Sequence, residues 1–181
     1  MDRLARTAHG LQFADGLKPA QWVALRFLAR ANRYSCTPGA LADFLGTTKG
    51  TASQTLIALE SKGYIERARS TADRRSVQIC LTPKGQAALN RDPLCAVQRA
   101  MAELSDAEQL KLIDCLQRLL KHLQGELGQP AFGPCADCTN FRPECTDDSG
   151  AAVCRCGLTG ESLLADDLAK ICVDFVPAKA G

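Results

Sequence analysis

Residues 37–84 constrain the fold of this chain more than any other stretch, because two short helical patterns are followed there by two strand patterns. Thr37 and Pro38 are typical of a helix start, as N-cap and first-turn proline. Gly46 is typical of a helix end. The residues between them that give this predicted helix an apolar face are Leu41, Phe44 and Leu45.

The second helical pattern extends from about residue 48 to residue 62, with Thr47 as its predicted N-cap and Gly63 at its end. Its apolar residues have the i, i+4, i+7 spacing of one buried face; they are Ala52, Leu56 and Leu59. The residues on the other side, near the N-terminal end, are polar or small; they are Thr48, Lys49, Gly50, Ser53 and Gln54. A recognition helix presents this end to the base edges in the major groove.

The two strand patterns complete the unit. Residues 65–69 form a short β-compatible segment, and residues 77–81 alternate as a half-buried strand does. The polar segment between them contains Arg74 and Arg75. A helix–turn–helix followed by a hairpin with a basic tip predicts a winged helix, so the fold class is mainly α with a small β-hairpin wing.

In this combination the chain resembles the MarR family of bacterial transcription regulators. The resemblance rests on LGTTKGTASQTLIALESKGYIER and DRRSVQICLTPKG, and it extends over roughly residues 2–125. It implies a dimeric regulator that binds a double-stranded DNA operator. It also implies that Asp73 orients an arginine of the wing, and that one of Arg74 and Arg75 reaches the minor groove.

The predicted DNA contacts have a chemical basis. Lys49 and Gln54 can hydrogen-bond to base edges, while Thr48 and Ser53 can reach bases or phosphates. Gly50 permits a close approach of the backbone. Charge supports this interpretation, because residues 1–91 carry a net charge of +8 whereas residues 131–181 carry −4. A solvated surface is the alternative explanation of this asymmetry.

The helices after the wing predict an assembly. Thr82 and Pro83 begin a helix that Pro93 should kink or break. Ser105 and Glu108 form a capping box for the next helix, which we expect to end at Gly125. The apolar residues of this helix are too widely spread for one core; they are Leu110, Leu112, Ile113, Leu116, Leu119, Leu120 and Leu123. The corresponding helices join two subunits in the MarR family, so we expect a homodimer, with packing onto the C-terminal segment as the alternative.

The cysteines divide the chain. Six of the ten lie within 38 residues, after a short Gly/Pro linker. We therefore predict a DNA-binding and dimerisation domain at residues 1–127 and a small, irregular, cysteine-rich module at residues 131–181. In a cytosolic protein such clustering indicates metal or redox chemistry more than a disulfide framework. The linker leads us to expect that the module acts on the preceding helix.

Cys135, Cys138, Cys156 and Cys172 are the predicted metal ligands, because Cys135 and Cys138 share a tight turn and Cys154 is too close to Cys156 for both to bind one ion easily. Cys145 and Cys154 remain as spare ligands or redox partners. The spacing resembles C-terminal extensions of some MarR-type regulators and small modules that carry a 4Fe–4S cluster on glycyl-radical enzyme subunits. A structural zinc usually uses two close knuckles, so we favour a 4Fe–4S cluster, with zinc as the alternative. Free thiols or disulfides are the remaining alternative.

Two functions follow. The first is a sequence-specific repressor whose cysteine centre senses iron or redox state. The alternative is a regulator that binds a small-molecule effector between the dimer helices and the DNA-binding part, with zinc as a structural staple. The sequence contains no Ser–His–Asp set, paired catalytic carboxylates or phosphate-binding glycine loop, so we do not expect an enzyme. It contains no apolar run of membrane-spanning length, so we expect a cytoplasmic protein without membrane contact.

Overall fold

The computed structural model describes residues 2–69, 77–146 and 152–178. The first part is helical, apart from one hairpin; its elements are α1 Asp2–Leu11, α2 Pro19–Arg30, α3 Pro38–Leu45, α4 Lys49–Ser61, β1 Ile65–Arg69, β2 Val77–Leu81, α5 Pro83–Leu89, α6 Cys95–Met101 and α7 Asp106–Glu126. The last part contains β3 Gly133–Pro134, β4 Phe141–Thr146, β5 Ala152–Cys156, β6 Ser162–Leu163, α8 Ala165–Leu168 and β7 Ile171–Cys172. This order confirms the predicted helix–turn–helix with a hairpin wing.

The turn between α3 and α4 is made by capping residues. The Thr37 hydroxyl accepts a hydrogen bond from the Ala40 N–H, and Gly46 ends α3 in the left-handed conformation at φ 59°. The prediction that Thr47 caps α4 is wrong by one residue. The Thr47 N–H is already bonded to the Ala42 carbonyl, and the Thr48 hydroxyl accepts from the Thr51 N–H instead. Thr48 is therefore the residue that fixes where α4 begins.

The core lies where α2, α3, α4 and the wing meet. Trp22 is fully buried in it, and its indole N–H donates to the Ala14 carbonyl. The predicted apolar face of α4 is also confirmed, because its members are inaccessible to solvent; they are Ala52, Leu56 and Leu59. Burial of each of the two leucine side chains stabilises the fold by about 1.5–3 kcal/mol. This face holds α4 against α2 and α3 and leaves its opposite face free.

The wing is an antiparallel pair in which Ile65 lies opposite Leu81 and Arg69 opposite Val77. Its burial is less regular than the alternation predicts. Ile79 is buried at 1% exposure, whereas Val77, near the tip, is 41% exposed. Only the half of the hairpin nearest the helices therefore packs on the core.

The chain after the wing breaks where Pro93 predicts, between α5 and α6. Helix α7 starts at the predicted capping box of Ser105 and Glu108. It ends at Glu126 rather than at Gly125, because the left-handed turn is supplied by Gly128 at φ 61°. None of its residues is buried. Its large apolar side chains therefore stay between 38% and 69% exposed.

The C-terminal segment is more regular than the irregular module that the sequence predicts. Strands β4, β5 and β6 form a three-stranded antiparallel sheet, and β3 pairs with β7. Each strand has only two to six residues, too short for alternation to be recognisable in the sequence. Tertiary pairing, rather than local pattern, defines these strands.

The described helices include none that combines the length and the apolar character needed to cross a membrane.

Candidate functional site

The N-terminal end of α4 is presented to solvent. Thr48, Lys49, Gly50 and Gln54 are exposed and Ser53 is half-buried, while the opposite side of the helix is in the core. The Thr48 hydroxyl lies 3.0 Å from the Thr51 hydroxyl as well as capping the helix. Thr48 is thus first a capping residue, and Lys49 and Gln54 are the side chains with free reach.

The electrostatics of this end favour an anion. Unpaired N–H groups and the helix dipole give a helix N-terminus a partial positive charge, and the first turn of α4 contains Lys49 and no acidic residue. The arrangement suits phosphate or electronegative base edges. The predicted wing contacts, Asp73, Arg74 and Arg75, lie outside the described residues.

A second site brings the four predicted ligands together. Cys135, Cys138, Cys156 and Cys172 all line one small cavity of about 20 Å³. Pairing of β3 with β7 places Gly133 opposite Cys172, and pairing of β4 with β5 places Phe141 opposite Cys156. Cys154 lies opposite Leu163 and is not among the residues that line the cavity. The side chain of Cys145 is outside the described part of the structure.

Hydrogen-bond donors point at the sulfur atoms. The Val176 N–H donates to Cys138 Sγ at 3.4 Å, and Asn32 Nδ2 donates to Cys135 Sγ at 3.6 Å. Burial alone would raise the pKa of Cys156, but hydrogen bonds from the Thr159 and Leu158 N–H groups and from the Thr159 side chain lower it overall. Donors of this kind stabilise a thiolate, which is the form that binds metal.

Cys135 behaves differently. Burial, together with the nearby Cys172 and Cys156, raises the pKa of its thiol to about 11, against the opposing effect of the hydrogen bond from Asn32. Thiols this close repel one another when ionised, so charge on all four requires a compensating cation.

Four thiols are a donor set that suits a thiophilic metal, but the side chains are not arranged to hold an ion in this structure. Within residues 2–69, 77–146 and 152–178, no group of three or more His, Cys, Asp or Glu side chains is arranged so that it could hold a metal ion. A volume of about 20 Å³ is room for roughly one water-sized body. A single ion matches that volume, whereas a 4Fe–4S cluster requires the walls to separate. In either case the cysteine side chains have to move.

Sequence reasoning missed the two cavity residues that come from outside the C-terminal segment. Asn32 and Tyr34, from the loop between α2 and α3, form part of the cavity wall. Asn32 is 103 positions from the cysteine that it contacts, and it belongs to no metal-binding pattern. Its full burial, which marks it as a residue with fixed partners, becomes visible only in the fold.

Comparisons with known proteins agree with this geometry. The model of the MarR family matches residues 15–76. The transcriptional repressor MprA of Escherichia coli is 30% identical over 116 residues, which cover 64% of this chain and 65% of that protein. The chain thus matches slightly less than two thirds of that relative. A putative transcriptional regulatory protein for the hcr operon of Thauera aromatica is 31% identical over 117 residues, covering 63% of this chain and 69% of that protein.

A solved structure is similar in fold. The MepR–DNA complex of Staphylococcus aureus superposes with a TM-score of 0.53 at 24% identity, covering 68% of this chain and 91% of MepR. The matched share leaves about a third of this chain outside the comparison. The family model, the relatives and the helix–turn–helix with its wing agree, and the chain belongs to the MarR family.

Proposed function

We propose that this protein is a DNA-binding transcriptional repressor in which α4 enters the major groove and the wing reaches the minor groove. The observation that carries the proposal is the exposed, cationic N-terminal end of α4, held in place by a fully buried opposite face. The names of the relatives support it, since MprA is a repressor and MepR has been solved with DNA. MarR proteins are transcriptional regulators rather than enzymes.

The proposed active form is a homodimer joined through α7. Eight large apolar side chains on and just after this helix are between 38% and 69% exposed; they are Leu110, Leu112, Ile113, Leu116, Leu119, Leu120, Leu123 and Leu127. A continuous apolar surface of this size on a helix marks an interaction site. A second copy of α7 offers the same surface, so a two-fold contact would cover both.

The proposed sensor is a metal centre held by four cysteines, Cys135, Cys138, Cys156 and Cys172. Four thiols around one cavity, with N–H donors aimed at the sulfurs, support it. A 4Fe–4S cluster is the form that the sequence favours and would make the protein a sensor of iron or redox state. Zinc is the alternative that fits the cavity with the least movement.

A second function has its own observation. A cavity of about 590 Å³ lies between α3, α7 and the linker, with Arg30, Phe44, Leu120 and Phe132 in its wall. This volume is in the range of small-molecule sites. The second candidate function is a MarR-type regulator that binds an effector in this cavity, with zinc holding the cysteine module together. A purified protein without iron would favour this function.

The DNA contacts can be tested on duplexes selected from a random pool by the wild-type protein. Lys49→Gln should weaken binding and reduce the salt dependence by about one counterion, because one cation that faces the DNA is lost. Arg75→Ala should cost about 1–3 kcal/mol of binding if the arginine reads the groove.

The matched control is Arg118→Gln on α7, where Arg118 is 73% exposed. It should change neither the affinity for DNA nor the salt dependence. Titrations over a salt series, beside thermal melts, measure these effects. Unchanged affinity in the Lys49 and Arg75 variants would remove both residues from the interface.

The dimer can be tested by light scattering. At micromolar concentration the mass should be about twice the 19.4 kDa of the chain. Leu116→Asp should lower it to that of a monomer, because each copy would bury a charge in an apolar interface. Asp114→Asn, at an exposed position two residues away, should leave the mass unchanged. A monomeric wild-type protein would refute the assembly.

The metal centre can be tested by elemental analysis and visible absorption of protein purified without oxygen. We expect stoichiometric metal, and a brown protein if the centre is 4Fe–4S. Cys138→Ser should abolish it, because a ligand is lost. Cys115→Ser on the exposed face of α7 is the control and should retain it. Wild-type protein with neither iron nor zinc would show that no centre exists.

A further inference from the structure

The loop at residues 31–36, between α2 and α3, joins the cysteine module to the DNA-binding part. Asn32 is fully buried there and uses each of its polar groups. Its backbone N–H donates to the Ile171 carbonyl at 2.9 Å, and its side-chain oxygen accepts from the Ser35 N–H at 2.9 Å. Its side-chain nitrogen donates to Cys135 Sγ. A residue of the DNA-binding part thus hydrogen-bonds directly to a predicted ligand.

Ser35 makes a second connection from the same loop. It is fully buried, and its hydroxyl oxygen accepts a hydrogen bond from the Val173 N–H at 2.8 Å. Ile171 and Val173 are therefore both bonded to the loop, and Cys172 lies between them in the chain. A displacement of the Cys172 backbone therefore has to move groups that the loop holds.

Charged groups reinforce the contact at its rim. Arg33 lies 3.7 Å from the buried carboxylate of Asp167 and donates to the Ser162 carbonyl. The Tyr34 hydroxyl donates to Glu161 at 2.9 Å.

The other side of the loop holds the wing. The Cys36 carbonyl accepts a hydrogen bond from the Ile79 N–H at 2.8 Å, and the Arg33 carbonyl accepts one from the Gln78 side chain at 3.4 Å. Thr37, the N-cap of α3, donates its N–H to the Ser35 carbonyl at 2.8 Å. The loop is therefore bonded to the module on one side and to both β2 and α3 on the other.

Helix α7 meets the C-terminal segment differently. In the described part of the chain it is hydrogen-bonded to the linker, where the Gln124 carbonyl accepts from the Gln129 N–H at 2.9 Å and the Gln124 side chain donates to the Pro130 carbonyl at 3.4 Å. The linker itself is thus tied to α7, while the segments that carry Cys135 and Cys172 are tied to the loop.

We infer that Asn32 and Ser35 are positioning residues that hold the cysteine centre against the DNA-binding part, so that the state of the centre reaches α3 and the wing through this loop rather than through α7. The inference rests on the proposed metal centre. Its physical basis is that metal binding would move the cysteine side chains, and that Cys135 and the two residues flanking Cys172 are hydrogen-bonded to the loop.

The test compares one hydrogen bond on each route. Ser35→Ala removes the acceptor for the Val173 N–H without altering a cysteine, and Gln124→Ala removes a side-chain-to-backbone bond on the α7 route. For each protein, the affinity for the selected duplex is measured after reconstitution with ferrous iron and sulfide, or with zinc if that is the metal found, and again after chelation. The ratio of the two affinities is the readout.

Asn32→Asp is the second variant, and it covers the case in which Ser35→Ala does not fold. It keeps the acceptor for the Ser35 N–H but removes the donor to Cys135 and adds a negative charge beside the thiolates. We expect it to shift the visible absorption of the iron form and to speed metal loss to a chelator by about tenfold, since second-shell changes commonly cost 10–100-fold.

We expect Ser35→Ala to bring the ratio of the two affinities about fivefold closer to one, which is the equivalent of one hydrogen bond. Gln124→Ala should leave the ratio within twofold of wild type. The reverse pattern would overturn the inference and assign the coupling to α7. A wild-type ratio that neither Ser35→Ala nor Asn32→Asp changes would overturn the inference and leave the sensing function standing. Wild-type protein without metal, or with a ratio of one, would overturn the sensing function and the inference together.

Discussion

The hydrogen bonds of Asn32 are the interaction on which the arrangement of this molecule depends. A buried amide without partners costs several kcal/mol, so a chain retains one only where its partners are fixed. Here the partners are Ile171, Ser35 and Cys135, which belong to two distant parts of the sequence. The cost of leaving Asn32 unpaired therefore opposes separation of the C-terminal segment from the DNA-binding part.

These hydrogen bonds connect the cysteine cavity to the elements that would contact DNA. The recognition helix α4 is held by its apolar face on a core that α2 and α3 also share. The loop between α2 and α3 carries Asn32, which forms part of the cavity wall, and Cys36, whose carbonyl accepts from the wing. A change at the cysteines therefore has a short covalent and hydrogen-bonded route to the elements that would contact DNA. Coupling by such a route requires only that the loop have two arrangements.

The local parts of this fold were predictable from sequence. Thr37, Pro38 and Gly46 specify α3 through capping chemistry that acts within a few residues, and the spacing of Ala52, Leu56 and Leu59 specifies the buried face of α4. The error at Thr47 is instructive, since two adjacent threonines can both cap and only the turn geometry decides between them.

The long-range parts were not predictable. The strands of the C-terminal segment are too short to show a period, so their pairing is set by tertiary contacts. Steric reasoning limited Cys154 and Cys156 to one ligand between them but did not decide which. The cavity lining agrees with the choice of Cys156, and the ligand set stays a prediction. Asn32 carried no sequence signal, because its role arises from a contact 103 positions away. The wing tip, with Arg74 and Arg75, lies outside the described residues and stays a prediction too.

The most direct measurement of the central claim is amide hydrogen exchange in the metal-loaded and the chelated protein. The N–H groups of Asn32, Val173 and Ile79 bond to Ile171, Ser35 and Cys36, and so report on both sides of the loop. We predict that all three exchange faster after metal removal, while the amides of α7 keep their protection. Unchanged exchange at these three amides, together with faster exchange along α7, would contradict the account.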